Sequence, residues 1–180
     1  MIKFLKTRDV KSPSRANKYD AGIDFYVPEF TFEFLKDLRA KNPDLDDTHI
    51  TKQGVYLNAG QRVLIPSGIY CQMAIPGRAL IAANKSGVAT KTGLIFGAQV
   101  VDYEYQGEIH ISLIYTGTGT CEILPGMKAI QFIETPIYNS NIIVLEEGKT
   151  LDDSILISKE SFYQKATTRG DDGFGSTDKK

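Results

Sequence analysis

The stretch Ile109-His110-Ile111-Ser112-Leu113 alternates apolar and polar side chains, and this alternation decides the fold class. Successive side chains of a β-strand point to opposite faces, so the segment has one apolar and one polar face. A half-buried antiparallel strand has this pattern. Strands are therefore predicted here, through Tyr115, and in five further apolar or β-branched runs, at residues 2–5, 22–27, 62–65, 69–75 and 129–137.

Between these runs, turns are predicted at Pro66-Ser67-Gly68, Pro76-Gly77 and Pro125-Gly126, because proline and glycine punctuate strands. The chain is thus predicted to be mostly β. Its 180 residues, 42% of them hydrophobic, are enough for one core and favour a single domain.

Residues 30–43 depart from the β pattern. Phe32, Leu35 and Leu38 recur at a spacing of three residues, with charged side chains on another face. This spacing predicts a short amphipathic helix in an insertion at about residues 30–50. Asn42-Pro43 is expected to end the helix, because the residue before a proline resists helical geometry.

The composition limits the classes of partner. The chain has 21 lysine and arginine residues against 22 acidic ones, a net charge of −1 that provides no global field for a nucleic acid. No apolar run approaches the roughly 20 residues that span a bilayer. Cys71 and Cys121 lie in apolar stretches and the N-terminus lacks a signal peptide pattern, so a reduced, soluble, cytoplasmic protein is expected.

The two histidines, His49 and His110, stand alone, with no HExxH spacing and no cysteine–histidine cluster. A catalytic metal held by protein ligands is therefore not expected. The sequence also lacks the Gly-x-Ser-x-Gly pattern of a serine nucleophile. Any hydrolysis is predicted to use activated water.

The strongest local signal is the segment from Arg169 to Thr177, which contains Phe174 between two glycines. Glycines allow close backbone approach, hydroxyls donate hydrogen bonds, and arginine matches phosphate oxygens, as a phosphate lid requires. Phe174 is suited to covering a planar base. A disordered, solvated tail explains the same composition equally well.

Two further segments carry weaker signals. Asn84-Lys85-Ser86-Gly87 combines a cation, a hydroxyl and a glycine, which can cradle a phosphate but also make an ordinary surface turn. The acidic stretch around Asp102 places a carboxylate directly after an apolar run, where it could orient and deprotonate water. Three acids in one stretch are also typical of a solvated turn.

Together and in this order, Ala21–Asp24, Asn84–Gly87, Val100–Glu108, Gly126–Gln131 and Arg169–Thr177 resemble the five motifs of the trimeric dUTPase family. The resemblance implies an all-β, β-clip fold, a distorted jelly-roll-like subunit with a short helical insertion and a flexible C-terminal tail. It implies a β domain at residues 1–166, a mobile nucleotide-covering tail at 167–180, and a homotrimer whose active sites each draw on three chains.

The resemblance also implies the chemistry: hydrolysis of dUTP to dUMP and pyrophosphate with Mg²⁺, which limits uracil in DNA and supplies dUMP for dTMP synthesis. Asp102 matches the acid that orients the attacking water, and Asp24 the acid that organises the phosphate and metal region. Mg²⁺ is expected to be held by the triphosphate and water. The residues implied to bind substrate are Lys85, Ser86, Gly87, Gly97, Ala98, Gln99, Val101, Tyr105, Gln131, Arg169, Phe174, Gly175, Ser176 and Thr177.

Within that set, the resemblance assigns separate tasks. Ser86 and Gly87 match donors to the α and β phosphates, and Gln131 matches a glutamine near the α-phosphate. The backbone of a hairpin at residues 97–105 is implied to read uracil, with the Tyr105 ring packed on deoxyribose so that no 2′-hydroxyl fits. In the tail, the ring of Phe174 is implied to close over uracil while neighbouring donors hold the γ-phosphate.

Four positions depart from the family pattern. Lys85 stands where the family usually has arginine, which keeps the charge but loses the bidentate geometry. Gln99 replaces a common glycine of the uracil-reading hairpin, so a side chain occupies a place where backbone usually approaches the ligand. Asp172 and Asp178 replace glycines of the tail motif.

Two alternatives stay open at this point. A dCTP deaminase shares this fold, but Ser112 stands where that family carries its catalytic glutamate. A regulatory binding protein of the same fold would respond to dUTP and contact a partner protein through the insertion at residues 30–50. Such a protein need not lose catalysis, and its location would be the host cytoplasm if the gene is viral.

Overall fold

The structure is a computed structural model that describes residues 1–151, 155–156, 158 and 162–163. It divides into two compact units, Met1–Asn139 and Ser140–Lys180. The boundary predicted at residues 166 and 167 stays a prediction.

The first unit contains ten strands and two helices. In chain order they are β1 (Ile2–Lys6), β2 (Gly22–Tyr26), α1 (Phe32–Lys41), β3 (Val55–Asn58), β4 (Arg62–Met73), β5 (Arg78–Ala83), α2 (Ser86–Thr92), β6 (Leu94–Phe96), β7 (Val100–Val101), β8 (Ile109–Tyr115), β9 (Thr120–Ile123) and β10 (Lys128–Pro136). Neither helix is long and apolar enough to cross a membrane.

Two four-stranded sheets build this unit, in the orders β1-β4-β8-β6 and β2-β10-β5-β7, and β3 pairs with β9 in a separate ribbon. Every pairing is antiparallel. The all-β class predicted from the sequence is confirmed. In β8 the buried and half-buried positions alternate along the whole strand, as the opening pattern predicts.

The core lies between the sheets. Phe25 of β2 is fully buried and packs against Phe132 of β10, with ring centroids 4.7 Å apart, and edge-on against Phe4 of β1 at 5.7 Å. Because β1 belongs to one sheet and β2 and β10 to the other, these rings join the two sheets. Tilted and edge-to-face arrangements are those that aromatic rings prefer.

The prediction of a turn at Pro66-Ser67-Gly68 is wrong. These residues lie inside β4, so the two strands predicted at 62–65 and 69–75 are one strand with a β-bulge between Pro66 and Ile69. Gly68 adopts φ 72°, a conformation that glycine takes without strain. The turns at Pro76-Gly77 and Pro125-Gly126 are confirmed.

Helix α1 ends where the sequence predicts. Thr31 caps its start by accepting a hydrogen bond from the Phe34 amide at 3.2 Å, and the helix ends at Lys41, before Asn42-Pro43. The predicted apolar face is partly wrong, because Phe32 is 79% exposed. Phe34 takes its place beside Leu35 and Leu38, since these three positions form one continuous helical stripe.

Asn42 attaches the insertion to the sheet. Its amide nitrogen donates to the carbonyl oxygens of Leu38, at 2.7 Å, and Leu64, at 2.8 Å, and its oxygen accepts the Leu64 amide at 2.7 Å. Strand β1 pairs with β4 only from Ile69 onward, so the edge of β4 at Leu64 has no strand neighbour on that side. The Asn42 carboxamide takes the place of a neighbouring strand there.

The second unit contains β11 (Thr150–Leu151), which pairs antiparallel with β12 (Ile155–Leu156). Ile142, Ile143 and Val144 of this unit are exposed. Phe162 and Tyr163 pack edge-to-face with centroids 5.0 Å apart.

Replacing Asn42 with alanine is expected to lower the free energy of unfolding by about 1 to 3 kcal/mol, because the Leu64 backbone loses both of its partners. Urea unfolding measures the change. Lys36→Ala, which removes an exposed side chain of the same helix, is the control and should stay within about 0.5 kcal/mol of wild type. Equal losses in the two variants would show that Asn42 is no anchor.

Candidate active site

A buried carboxylate lies at the centre of the candidate site. Asp24 of β2 is only 3% exposed, and two lysines bind it from different elements. The Lys85 ammonium forms an ion pair with Asp24 Oδ1, and Lys128 Nζ lies 2.8 Å from Oδ2. The Asp24 amide also donates to the Ser14 carbonyl at 2.8 Å, which holds the backbone at this point.

Strand register brings these residues together. Gln131 of β10 lies opposite Asp24 of β2 on one side and opposite Ala83 of β5 on the other. Asn84 and Lys85 directly follow Ala83. Three segments that the sequence presents separately, around Asp24, Lys85 and Gln131, therefore meet at one place on the second sheet.

The Gln131 side chain is fixed by two neighbours. Its amide donates to the Asn84 carbonyl at 2.9 Å. A Cβ at Gly22 would lie 1.9 Å from Gln131 Oε1, so only glycine at this position leaves room for the side chain. The Asn84 side chain in turn accepts the Phe96 amide at 2.9 Å.

Ser86 and Gly87 are exposed beside this cluster. The predicted small loop ends at Lys85, because Ser86 is the first residue of α2. The first amides of a helix have no acceptor within the helix, so the amides at the start of α2 are available as hydrogen-bond donors. Nothing lies within 4 Å of a Cβ placed on Gly87, so the space beside it is open.

Asp102 lies in the long loop between β6 and β8, which form an antiparallel hairpin. Within that loop β7 pairs with β5 of the other sheet, and Asp102 follows β7 directly. Asp102 is exposed, in an open groove of about 490 Å³ that it shares with Arg78 and Glu104. Among the described residues, its carboxylate has no hydrogen bond or ion pair.

The predicted base-reading segment forms the first part of the same loop. The Gly97 amide donates to Ser112 at 2.9 Å, and the Gln99 carbonyl accepts the Ala82 amide at 2.7 Å. These bonds attach the loop to β8 on one side of Ala98 and to β5 on the other. Ala98 between them is exposed, and its backbone groups have no hydrogen bond within the described part of the chain.

Tyr105 closes the turn that Asp102 opens. Its amide donates to the Asp102 carbonyl at 3.1 Å, and its hydroxyl donates to the Glu108 carbonyl at 2.9 Å. The ring lies across Gly107, where a Cβ would come within 2.5 Å of the ring carbon that bears the hydroxyl. The side chain remains 44% exposed.

Within one chain, the Asp102 loop does not contact the cluster around Asp24. Asp102 shares its groove with Ala79 of β5, whereas Gln131 lies opposite Ala83, four residues further along that strand. Four residues of extended strand span about 13 Å. No described hydrogen bond or ion pair joins Asp102 or Tyr105 to Asp24, Lys85 or Gln131.

The dUTPase family model matches residues 50–178, more than half of the chain. This chain belongs to the dUTPase family. Among curated relatives, the deoxyuridine 5'-triphosphate nucleotidohydrolase of Chlamydia caviae is 34% identical over 89% of this chain and 95% of its own length. That of Paraburkholderia phymatum is 31% identical over 68% of this chain and 74% of its own. Family membership makes the chain a dUTP diphosphatase, which hydrolyses dUTP to dUMP.

Solved structures agree on the fold. A mutant of the dUTPase of Staphylococcus bacteriophage 80alpha, with dUpNHpp, superposes with a TM-score of 0.67 over 98% of both chains, at 18% identity. A mutant of the dUTPase from phage phi11 of S. aureus superposes with a TM-score of 0.61 over 83% of this chain and 99% of its own, at 18% identity. That structure is described as showing the coordination of a structural Mg(II) ion. The jelly-roll-like fold implied by the motifs is confirmed.

Two dUTPase motifs differ in how far they can be placed. The first, Ala21–Asp24, precedes the segment that the family model matches, yet strand register joins it to the second and fourth motifs. The fifth lies outside the described residues, with Arg169, Phe174, Gly175, Ser176 and Thr177, so their roles stay predictions.

Lys128 is a member of the dUTPase cluster that sequence reasoning missed. A lone cation at the start of an apolar strand, three residues before Gln131, was the available signal. Its pairing with Asp24 depends on the register of β10 with β2, including the irregularity between Lys128 and Ile130, which the residue pattern does not reveal.

The electrostatics of the cluster follow from this pairing. Burial by itself would raise the pKa of the Asp24 carboxyl, but the hydrogen bonds and charges of Lys128 and Lys85 outweigh it, so its pKa is lowered. The hydrogen bond with Asp24 likewise raises the pKa of Lys128. One carboxylate and two ammonium groups give the cluster a formal net charge of +1.

In the described part of the chain, no three or more histidine, cysteine, aspartate or glutamate side chains lie close enough together to hold a metal ion. Both carboxylate oxygens of Asp24 face lysines. With an ammonium on each oxygen of Asp24, this cluster suits phosphate oxygens rather than direct coordination of a metal ion.

Replacing Asp24 with asparagine is expected to destabilise the protein by about 1.5 to 3 kcal/mol at pH 7, because the charge-assisted bonds to two partly exposed lysines are lost. The lowered pKa means that this stability is complete above the unfolded value of about 3.9 and is lost as pH falls through the lower folded value. Urea unfolding at pH 7 and below pH 4 should show the gap between variant and wild type shrinking in acid. Asp44→Asn, at an exposed carboxylate, is the control; an Asp24 variant as stable as that control at pH 7 contradicts the ion-pair assignment.

Proposed function

We propose that this dUTP diphosphatase cleaves its substrate by attack of water on the α-phosphorus, with Asp102 as the general base, at sites to which different chains of a homotrimer contribute. The observation that carries the proposal is the meeting of Asp24 of β2, Gln131 of β10 and Lys85, two residues after β5, at a place separate from the exposed Asp102. One chain thus carries two half-sites that do not meet.

The Asp24 cluster is the proposed triphosphate-binding half. Its net positive charge attracts a polyanion locally, although the whole chain carries only −1. Lys85 neutralises phosphate oxygens, and the amides of Ser86 and Gly87 donate to the α and β phosphates. Gln131 is oriented toward this region by the Asn84 carbonyl and adds a neutral donor near the α-phosphate.

The Asp102 loop is the proposed half that supplies base, sugar and water contacts. Its carboxylate oxygens have no partner among the described residues, so they are free to orient a water and accept its proton. The free backbone groups of Ala98 belong to the hairpin that is proposed to recognise uracil. They lie next to Gln99, which replaces a glycine of the family pattern. The ring of Tyr105 packs on deoxyribose and leaves no room for a 2′-hydroxyl.

The separation of these halves supports a site shared between copies of the chain, and the resemblance to trimeric dUTPases makes three the proposed number of copies. A site that needs both Asp102 and Lys85 is complete only when a second copy places its cluster against the Asp102 groove. The tail residues Arg169, Phe174, Gly175, Ser176 and Thr177 are proposed to cover the bound nucleotide, which excludes water other than the nucleophile. The insertion at residues 30–50 is a surface available to a regulatory protein.

Magnesium is proposed to bind through the triphosphate, and it would offset negative charge on the phosphate oxygens. Asp24 is the carboxylate of the cluster proposed to bind the phosphates. Because Lys85 and Lys128 occupy its oxygens, its part is to hold the two cations in place. The proposed product, dUMP, serves dTMP synthesis, and removal of dUTP limits uracil in DNA.

Asp102→Asn is expected to lower kcat for dUTP by about 10² to 10⁴, because an amide of the same shape cannot accept the proton of water. Pyrophosphate release measures turnover, and binding of a non-hydrolysable dUTP analogue should persist. Glu104→Gln is the matched control, since it removes a neighbouring exposed carboxylate of the same turn. Equal effects of the two changes would exclude Asp102 as the base.

Co-expression of two inactive variants tests the shared site. Lys85→Ala damages only the phosphate half and Asp102→Asn only the water half, so a mixed trimer rebuilds one intact site. Random mixing should restore about a quarter of wild-type activity. Asp102→Asn co-expressed with the double variant Lys85→Ala, Asp102→Asn is the control and should restore none. If the first mixture is also inactive, both halves belong to the same chain.

A further inference from the structure

Tyr105 is held by the residue three positions after it. Its hydroxyl donates to the Glu108 carbonyl at 2.9 Å, and its ring lies across Gly107. The same carbonyl lies 2.9 Å from His110 Nδ1, which donates to it because a carbonyl oxygen only accepts. The position of the Glu108 backbone therefore decides where the Tyr105 ring lies.

The Glu108 side chain fixes that backbone. Its Oε1 accepts the Gly68 amide at 2.6 Å and Arg8 Nε at 3.2 Å, and the side chain is only 14% exposed. Gly68 belongs to the bulge of β4, where the ladder is interrupted and its amide is free for a side-chain acceptor. The carboxylate thus joins the loop that contains Tyr105 to the bulge.

Arg8 extends the connection to the insertion. Its Nη2 binds Asp37 of α1 at 2.7 Å while its Nε binds Glu108. Its stem packs on Gly68, where a Cβ would come within 2.7 Å of the Arg8 Cβ. One guanidinium therefore bridges two carboxylates on separate elements. Its rigid, planar fork fixes the directions of both bonds, whereas an ammonium on a flexible stem does not.

We propose that Glu108 is a positioning residue for Tyr105, held in place by Arg8, and that Asp37 makes this position depend on the insertion helix. The proposal rests on the function given above, in which the Tyr105 ring excludes ribonucleotides. Release of Glu108 moves the acceptor of the Tyr105 hydroxyl. The ring is then free to swing from Gly107, and the space beside the sugar widens.

The consequence is specific to the sugar. A loosened Tyr105 ring admits the 2′-hydroxyl of UTP, whereas the Asp24 cluster and Asp102 remain unchanged. The ratio of kcat/KM for dUTP to that for UTP should therefore fall, mainly through a gain with UTP. A loss of stability alone lowers both values together and leaves the ratio unchanged.

The test measures this ratio in variants of the full chain. Glu108→Ala should lower it at least about fivefold, the equivalent of one lost hydrogen bond. Glu108→Gln, which keeps an acceptor for the Gly68 amide, should recover most of the ratio. Arg8→Lys keeps the charge and the aliphatic stem but loses the fork, so it should also lower the ratio. This milder change tests the proposal even if Glu108→Ala does not fold.

Two comparisons locate the effect. Asp37→Asn should lower the ratio, whereas Asp47→Asn, which breaks the ion pair of Asp47 with Arg39 elsewhere in the insertion, should not. In a Tyr105→Phe background, Glu108→Ala should lower the ratio no further, because both changes act through the same hydroxyl.

The outcomes separate the two proposals. If wild type prefers dUTP over UTP but the Glu108 and Arg8 variants keep the wild-type ratio, the positioning role is overturned and the proposed function stands. If Asp37→Asn and Asp47→Asn behave alike, the link to the insertion is overturned. If wild type itself shows no preference for dUTP, the sugar-excluding role of Tyr105 fails and the inference falls with it.

Discussion

The candidate site depends on the double pairing of strand β10. This strand is hydrogen-bonded to β2 on one side and β5 on the other, so a single register places Gln131 opposite both Asp24 and Ala83. Residues more than 60 positions apart in the chain, such as Asp24 and Lys85, then share one ion pair. A shift by one residue would turn each of these side chains to the opposite face of its sheet, because the side-chain period of a strand is two.

This arrangement resolves a conflict between burial and charge. A buried carboxylate is costly in isolation, and two neighbouring ammonium groups repel each other, yet together Asp24, Lys85 and Lys128 satisfy each other. The cluster retains one positive charge that nothing inside it neutralises. The chain thus has a local attraction for phosphates in a protein that is nearly neutral overall.

The sequence predicted what depends on local pattern. The alternation in β8, the end of α1 and the order of the motifs all follow from neighbouring residues. It failed where distant partners decide. Strand β5, Arg78–Ala83, is rich in alanine and has no strand pattern of its own. Pro66-Ser67-Gly68 has the composition of a turn but is a bulge, because β8 pairs with β4 on both sides of it. The pairing of Lys128 with Asp24 depends on the register of β10 with β2. The contact of Glu108 with Arg8 joins residues 100 positions apart.

Asn42 affects the solubility of the subunit as well as its stability, because it covers a strand edge. An uncovered strand edge offers its amides and carbonyls to any other extended chain, and proteins protect such edges to avoid aggregation. The carboxamide of Asn42 occupies these groups at Leu64 without itself continuing the sheet. The insertion therefore covers the edge of β4. A chain without it would expose unpaired backbone groups that can pair with other chains, unless another segment covered that edge.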